Sequence, residues 1–232
     1  MKPAPDEPGS PADEPLLITP DMLASPEAPA EARLDFEQGI SVAPAASLAL
    51  IATLVVVFAL ELAWGALVDQ ASIVRFGAMQ RARVLQGEVW RLLSACFLHG
   101  GIDHLAGNCL ALYVLGVASE HAWGAARTLG LFLFAGATGF CLSGAWSEGA
   151  SVGASGAIFG LQAALVVFFW RYRDQVHLRD KRIGSALLVW GLYQIGVGAL
   201  TPFVDNAAHV GGAVGGAAAG LVLGWQRLEQ RA

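Results

Sequence analysis

The chain has 232 residues, of which 55% are apolar, and a mean hydropathy of +0.54. This composition excludes an ordinary soluble protein and indicates that most of the chain lies in a lipid bilayer. The formal net charge is −5, but nine of the 19 acidic residues precede Ile40. The rest of the chain, from Ile40 onward, carries no acidic excess, so neither an acidic ligand nor a nucleic acid is implied as a partner.

Residues 1–44 form the first predicted element, a flexible, acidic and proline-rich N-terminal tail. Their content of Pro, Ala, Asp and Glu buries too little apolar surface to offset the entropy lost on ordering. An alternative interpretation is that Leu34, Asp35 and Phe36 form a short docking motif, but we favour a disordered tail. No basic segment precedes the first apolar run, so we expect the first span to remain in the mature protein.

Six apolar blocks follow, and each approaches the roughly 20 residues that a helix needs to cross the hydrocarbon core. The blocks are residues 47–68, 105–122, 128–145, 152–170, 183–200 and 207–225. We therefore predict an all-α membrane protein. A six-helix membrane domain is expected over residues 45–227, followed by a short C-terminal tail over 228–232.

Basic residues predict the orientation of these spans. The linker 171–182 carries five Lys and Arg residues, which the positive-inside tendency places in the cytoplasm. With six spans, both termini then lie on the cytoplasmic side. We expect a multi-pass protein of a bacterial inner membrane, with the lipid bilayer as its constant partner.

The three cysteines predict neither a disulfide framework nor a metal site. Cys96, Cys109 and Cys141 all lie in apolar stretches, are odd in number and lack CxxC spacing. We interpret them as small packing residues. No metal and no organic cofactor is therefore expected.

Polar side chains inside predicted spans are costly, so each is a candidate for function. In the predicted topology His104, Ser155 and His209 lie near the outer ends of three different spans. A hydroxyl becomes an effective nucleophile when an imidazole takes its proton, which predicts Ser155 as nucleophile and His209 as base. His104 and Asn108, one turn apart, are predicted oxyanion donors, aided by backbone N–H groups at the start of the Ser155 helix.

Glycines around these residues predict close contact between two of the spans. They are Gly153 and Gly156 beside the serine, and Gly212 and Gly216 after the histidine. Small residues at this spacing let helices approach closely in lipid, which would bring Ser155 within hydrogen-bond reach of His209. Each feature taken singly is more typical of helix packing, and it is their occurrence at one depth that favours a catalytic site.

Four motifs, taken in order, resemble the rhomboid family of intramembrane serine proteases over about residues 47–226. They are Trp90-Arg91, His99-x4-His104-x3-Asn108, Gly153-Ala154-Ser155-Gly156 and Ala208-His209-Val210-Gly211-Gly212. The resemblance implies the same dyad and oxyanion donors. It also implies a six-helix rhomboid bundle that cleaves transmembrane protein substrates within or near their spans, without a metal.

The resemblance also implies structural roles for Trp90, Arg91 and Glu120, the last at the cytoplasmic end of the second span. His99 matches a structural histidine of the family. Phe159 is a departure, because members often carry a Tyr there that packs on the catalytic histidine. Phe keeps the ring face but loses the hydroxyl.

Two alternative functions belong to other classes. A proteolytically inactive rhomboid-like protein would bind and escort membrane clients, but inactive relatives typically lack either the serine or the histidine. A small transporter would place ionisable residues at mid-membrane, on broken helices in paired halves. The presence of both Ser155 and His209, and the clustering of polar groups at one end, favour the protease.

Overall fold

A computed structural model of the chain describes residues 33–225. Over that range the fold is all-helical, with six long α-helices, three short ones and a single 3-10 helix, and it has no β-strands. In chain order the α-helices are α1 (Ala45–Ala63), α2 (Gln70–Phe76), α3 (Arg81–Leu85), α4 (Arg91–Ser94), α5 (Ile102–Trp123), α6 (Ala125–Trp146), α7 (Ser155–Arg171), α8 (Leu178–Leu200) and α9 (Asn206–Val222). The 3-10 helix, Ala95–Phe97, follows α4.

Within residues 33–225, four helices are long and apolar enough to cross a membrane. They are α1, α5, α6 and the Arg179–Leu200 part of α8. Helix α7 is apolar but shorter, with 17 residues, and α9 also has 17. The predicted all-helical membrane fold is confirmed for the described part of the chain, whereas the count of six spans stays a prediction.

Helix α7 lies at the centre of the bundle, in contact with α5, α6, α8 and α9. Small residues let it approach α9 closely. A Cβ added at Gly212 would meet the backbone of Gly156, and one added at Gly216 would meet the backbone of Gly160. The predicted glycine contact is therefore present, with one helix backbone lying directly on the other.

The segment between α1 and α5 is held together by Arg91, which is only 4% exposed. Its guanidinium donates hydrogen bonds to the carbonyl oxygens of Val74 (2.5 Å) and Ala78 (2.9 Å). It also pairs with Glu88 at 2.7 Å, and this hydrogen bond holds the pKa of the Glu88 carboxyl below its usual range. The guanidinium lies 4.5 Å from the Trp90 ring centroid, so the two motif residues brace the loop.

At the opposite end of α5, Glu120 joins this helix to the start of α1. Its carboxylate accepts hydrogen bonds from the backbone N–H groups of Ala46 (3.2 Å) and Ser47 (2.7 Å). A third comes from the Ser47 hydroxyl at 2.7 Å. The first N–H groups of a helix lack intrahelical acceptors, so the Glu120 carboxylate satisfies groups that α1 itself cannot.

Packing begins before the first long helix. The Phe36 side chain is 2% exposed and contacts the rings of Phe168, Phe169 and Trp225. Its backbone N–H donates to the buried Asp180 carboxylate at 2.9 Å. The aromatic pocket comes from segments distant in sequence, so the composition of the tail gives no sign of it.

This packing changes the boundary predicted for the N-terminal tail. The compact unit begins at Leu34, which pairs with Val176 in an isolated bridge, rather than at residue 45. Residues 34–44 are therefore part of the membrane unit. Most of the predicted tail, residues 1–32, and the predicted C-terminal tail, 228–232, lie outside the described residues.

Replacing Phe36 with Ala is expected to lower the free energy of unfolding by about 3 to 5 kcal/mol, the usual cost of emptying a buried aromatic site. Denaturant titration of the detergent-solubilised protein measures the change. Phe203→Ala is the matched control, because that side chain is fully exposed. Equal stability of the two variants would contradict the packed role of Phe36.

Candidate active site

The N-terminal ends of α5, α7 and α9 meet at one end of the bundle and bring the predicted residues together. The Ser155 hydroxyl oxygen lies 2.9 Å from His209 Nε2. Both residues are partly exposed, while Gly156 and Ala208 beside them are buried against each other. The contact between the two helix backbones therefore sets the distance between the two side chains.

Two further contacts fix the His209 ring. The Phe159 ring stacks on it, with centroids 4.4 Å apart and planes inclined by 18°. His209 Nδ1 lies 3.2 Å from Asn206 Oδ1, and the Asn206 amide donates to the Ile195 carbonyl oxygen at 3.0 Å. The tautomer protonated on Nδ1 donates to Asn206, which leaves Nε2 free to accept the Ser155 proton.

Sequence reasoning did not single out Asn206. It stands three residues before His209 on the same helix, and this spacing places two side chains on one face. This spacing from His209 is the sequence signal that points to Asn206.

His104 and Asn108 converge on the backbone just before Ser155. Gly153 has φ +126°, and a Cβ there would lie 2.5 Å from His104 Cε1 and 3.7 Å from Asn108 Nδ2. No other residue type fits this position, since the backbone is left-handed and the His104 ring occupies the space. The two predicted donors thus lie close to the backbone two residues before Ser155.

The Asn108 amide is the more enclosed of the two donors. Asn108 is 6% exposed, and its Nδ2 has no hydrogen-bond acceptor among the described residues. A buried donor without a partner costs stability. An unpartnered amide at this position fits a group that donates to the oxygen of a bound ligand. Behind His104 lies the buried His99, whose backbone N–H donates to the Glu61 carboxylate at 3.0 Å.

The family model for the Rhomboid domain matches residues 86–226, more than half of the chain. The chain belongs to the rhomboid family. It is 41% identical over 167 residues to the rhomboid protease GluP of Bacillus subtilis, a match that covers 72% of this chain and 32% of that protein.

Other relatives come from bacteria and plants. The rhomboid protease AarA of Providencia stuartii is 31% identical over 170 residues, covering 64% of this chain and 60% of its own length. RHOMBOID-like protein 5 of Arabidopsis thaliana is 37% identical over 155 residues, covering 64% and 48%. The chain therefore spans about a third to three fifths of the length of these relatives.

In this rhomboid, within residues 33–225, no group of three His, Cys, Asp or Glu side chains is placed to hold a metal ion. Cys96, Cys109 and Cys141 are free thiols. The chemistry available at the described site is that of a hydroxyl, an imidazole and nearby hydrogen-bond donors.

Proposed function

We propose that this rhomboid is an intramembrane serine endopeptidase that cleaves transmembrane protein substrates with a Ser155–His209 dyad. The observation that carries the proposal is the 2.9 Å contact between the Ser155 hydroxyl and His209 Nε2. The relatives named rhomboid proteases support the same activity. We propose that neither a metal nor an organic cofactor takes part.

In the proposed reaction, His209 Nε2 takes the proton of the Ser155 hydroxyl as its oxygen attacks the scissile carbonyl carbon. The resulting imidazolium then protonates the leaving nitrogen, the peptide C–N bond breaks and an acyl-enzyme forms. Water attacks the acyl carbonyl with His209 again as base, and Ser155 is released. Asn206 holds the imidazole in the tautomer that this cycle requires, and Phe159 holds the plane of its ring.

The negative oxygen of the tetrahedral intermediate is proposed to lie between His104, Asn108 and the first turn of α7. Donors aimed at developing charge in a site screened from water usually supply a large part of the rate enhancement. The N–H groups in the first turn of α7 point outward along the helix axis, and the positive end of the helix dipole adds to them.

Replacing Asn108 with Ala is expected to lower kcat by about 10- to 1,000-fold with the fold intact, because one oxyanion donor is lost. Turnover of a single-span substrate in detergent and in liposomes measures the effect. Ser119→Ala, a buried polar deletion near the other end of α5, serves as the control. An unchanged rate for Asn108→Ala would remove this residue from the site.

We further propose six spans with both termini in the cytoplasm of a bacterial cell, across its inner membrane. Linker 171–182, with five basic residues, lies at the end of α7 opposite Ser155, so the positive-inside tendency places the dyad near the outer surface. Helices α7 and α9 are short for a span, but α7 packs among the longer α5, α6 and α8, and α9 packs on α6, so neither needs to match the bilayer alone.

The proposed orientation predicts the accessibility of single cysteines placed at Glu148 and Asp174, after the three native cysteines are replaced. In intact cells an impermeant maleimide should label position 148 and should reach position 174 only after permeabilisation. The reverse pattern would overturn the orientation, while leaving the dyad chemistry unaffected.

The protease proposal is tested with a panel of single-span substrates reconstituted with the enzyme in liposomes. Substrates with small residues and a Gly or Pro near the outer end of the span should be cleaved best, because local unwinding costs them least. Ser155→Ala should cleave none of them. If wild type cleaves none while Ser155→Ala and wild type bind membrane clients equally, the protein is instead an inactive client binder.

A further inference from the structure

Asp205 joins three parts of the chain at the site end of the bundle. One carboxylate oxygen accepts a hydrogen bond from the Ala208 backbone N–H at 2.9 Å, which caps the start of α9. The other accepts from two hydroxyls, those of Ser143 near the end of α6 and Ser151 in the loop before α7. A single side chain thus connects α6, α9 and the segment that leads to the nucleophile.

The hydrogen bonds of Asp205 involve residues that lie close in sequence to Ser155 and His209. Ala208 immediately precedes His209, and Ser151 stands four residues before Ser155. Ser151 is itself fixed to the first loop, because its backbone exchanges two hydrogen bonds with Met79, at 3.0 Å and 2.9 Å. Asp205 therefore connects the chain segment just before His209, the proposed base, with the segment just before Ser155, the proposed nucleophile.

The connection through Asp205 bears on the distance between Ser155 and His209. The hydrogen bond between Ser155 and His209 joins residues 54 positions apart, and a productive geometry must be held to within about 0.5 Å. Below the dyad, α7 and α9 touch through glycines, whose van der Waals contacts permit sliding more readily than directional hydrogen bonds do. The Asp205 carboxylate supplies directional bonds above that contact.

We propose that Asp205 is a positioning residue of the dyad, a clamp that fixes the 147–154 loop and the start of α9 relative to each other. This inference rests on the proposed protease function. Asp205 does not touch the Ser155 hydroxyl and takes no proton in the reaction. Its effect passes through the placement of Ser155 and His209, so its loss lowers the rate of the chemical step rather than the affinity for substrate.

A plain contribution to stability is the competing explanation, and Glu120 provides a matched control for it. Like Asp205, Glu120 accepts three hydrogen bonds that join separate elements and cap a helix, but it lies at the opposite end of the bundle. Asp205→Ala and Glu120→Ala therefore remove equal numbers of acceptors, near to and far from the dyad.

The kinetic arm measures kcat and KM for a single-span substrate, with rates normalised to the folded fraction. Asp205→Ala is expected to lower kcat at least 10-fold with KM within about twofold, since misplacement of about 1 Å costs on the order of 100-fold. Glu120→Ala should leave kcat per folded molecule within about twofold of wild type. A similar kcat loss in both variants, or in neither, would overturn the proposal.

The second arm needs no activity. Hydrogen–deuterium exchange should rise in peptides covering residues 147–154 in Asp205→Ala, and stay at the wild-type level there in Glu120→Ala. If Asp205→Ala does not fold, the Ser143→Ala/Ser151→Ala double variant replaces it, because the cap on α9 stays intact. It should show the same exchange increase and a kcat loss of several-fold; unchanged exchange and rate would overturn the clamp.

The two arms separate failure of the clamp from failure of the proposed function. If wild type itself neither cleaves substrate nor reacts with a serine-directed probe, the protease proposal is wrong. The exchange comparison then still decides whether Asp205 holds the loop to α9. If wild type is active and exchange at 147–154 is the same in Asp205→Ala as in wild type, the clamp is wrong and the protease proposal stands.

Discussion

Replacing His209 with alanine is expected to reduce kcat by about four orders of magnitude or more, and Ser155→Ala by a similar factor. In the proposed mechanism the two side chains act as one proton-transfer unit, which the 2.9 Å distance from the Ser155 hydroxyl to His209 Nε2 permits. Without the imidazole, the hydroxyl keeps its proton and remains a weak nucleophile at neutral pH. The measurement is turnover of a reconstituted single-span substrate, with His177→Ala as a histidine control, because the His177 side chain is exposed in the linker.

The double variant Ser155→Ala/His209→Ala distinguishes a dyad from two independent contributors. Residues that act as a unit give losses that do not add, so the double variant should be no slower than the slower single variant. Asn206→Ala should fall between wild type and His209→Ala, because the ring is still present but its tautomer is no longer fixed. Additive losses in the double variant would contradict the dyad.

Gly212→Ala is expected to abolish most activity although only one methyl group is added. A Cβ at this position would overlap the Gly156 backbone, which cannot rotate away as a side chain can. Helices α7 and α9 must then separate, which typically costs about 1 to 3 kcal/mol of stability. The accompanying misplacement of the dyad should cost on the order of 100-fold in kcat.

Gly130→Ala is the matched control for this prediction. Gly130 is also helical, in α6, but a Cβ there would meet nothing within 4 Å. It should keep full activity and gain slightly in stability, because Ala favours helix over Gly by about 1 kcal/mol. Wild-type activity and thermal stability in Gly212→Ala would contradict the close backbone contact.

The main elements of the candidate site could be predicted because each carries a strong local signal. Ser155 and His209 each follow a short loop and begin an apolar helix, so the spacing of the spans places them at one end of the bundle. Gly212 and Gly216 recur with the helical period, which predicts a packing face. Gly153 stands two residues before the candidate serine, where a backbone without Cβ leaves room for the His104 ring.

The parts that could not be predicted depend on contacts between distant segments. Phe36 lies in a segment of polar, proline-rich composition, and only the folded chain brings Phe168, Phe169 and Trp225 together around it. The partners of Asp205 are likewise two serines more than 50 positions away. Neither the local composition nor the hydrophobic period predicts such pairings, because the pairings depend on how the helices pack.

Phe159 shows how a departure from the family pattern is accommodated. Its ring stacks on His209 at 4.4 Å, so the planar contact that orients the imidazole is present without a hydroxyl. The hydrogen bond from Nδ1 to Asn206 supplies a polar restraint in the plane of the same ring. Together they hold His209 against rotation in two directions.

Covalent labelling with a fluorophosphonate probe tests the central claim most directly, because it needs no knowledge of the physiological substrate. The Ser155 oxygen attacks phosphorus, fluoride leaves and His209 accepts the proton, so only an activated serine reacts readily. We predict one labelled site, mapped to the peptide that contains Ser155. Labelling should vanish in Ser155→Ala, fall strongly in His209→Ala and stay unchanged in Ser185→Ala, an exposed serine of α8. Labelling that persists in Ser155→Ala, or a folded wild type that is not labelled at all, would contradict the assignment of Ser155 as the nucleophile.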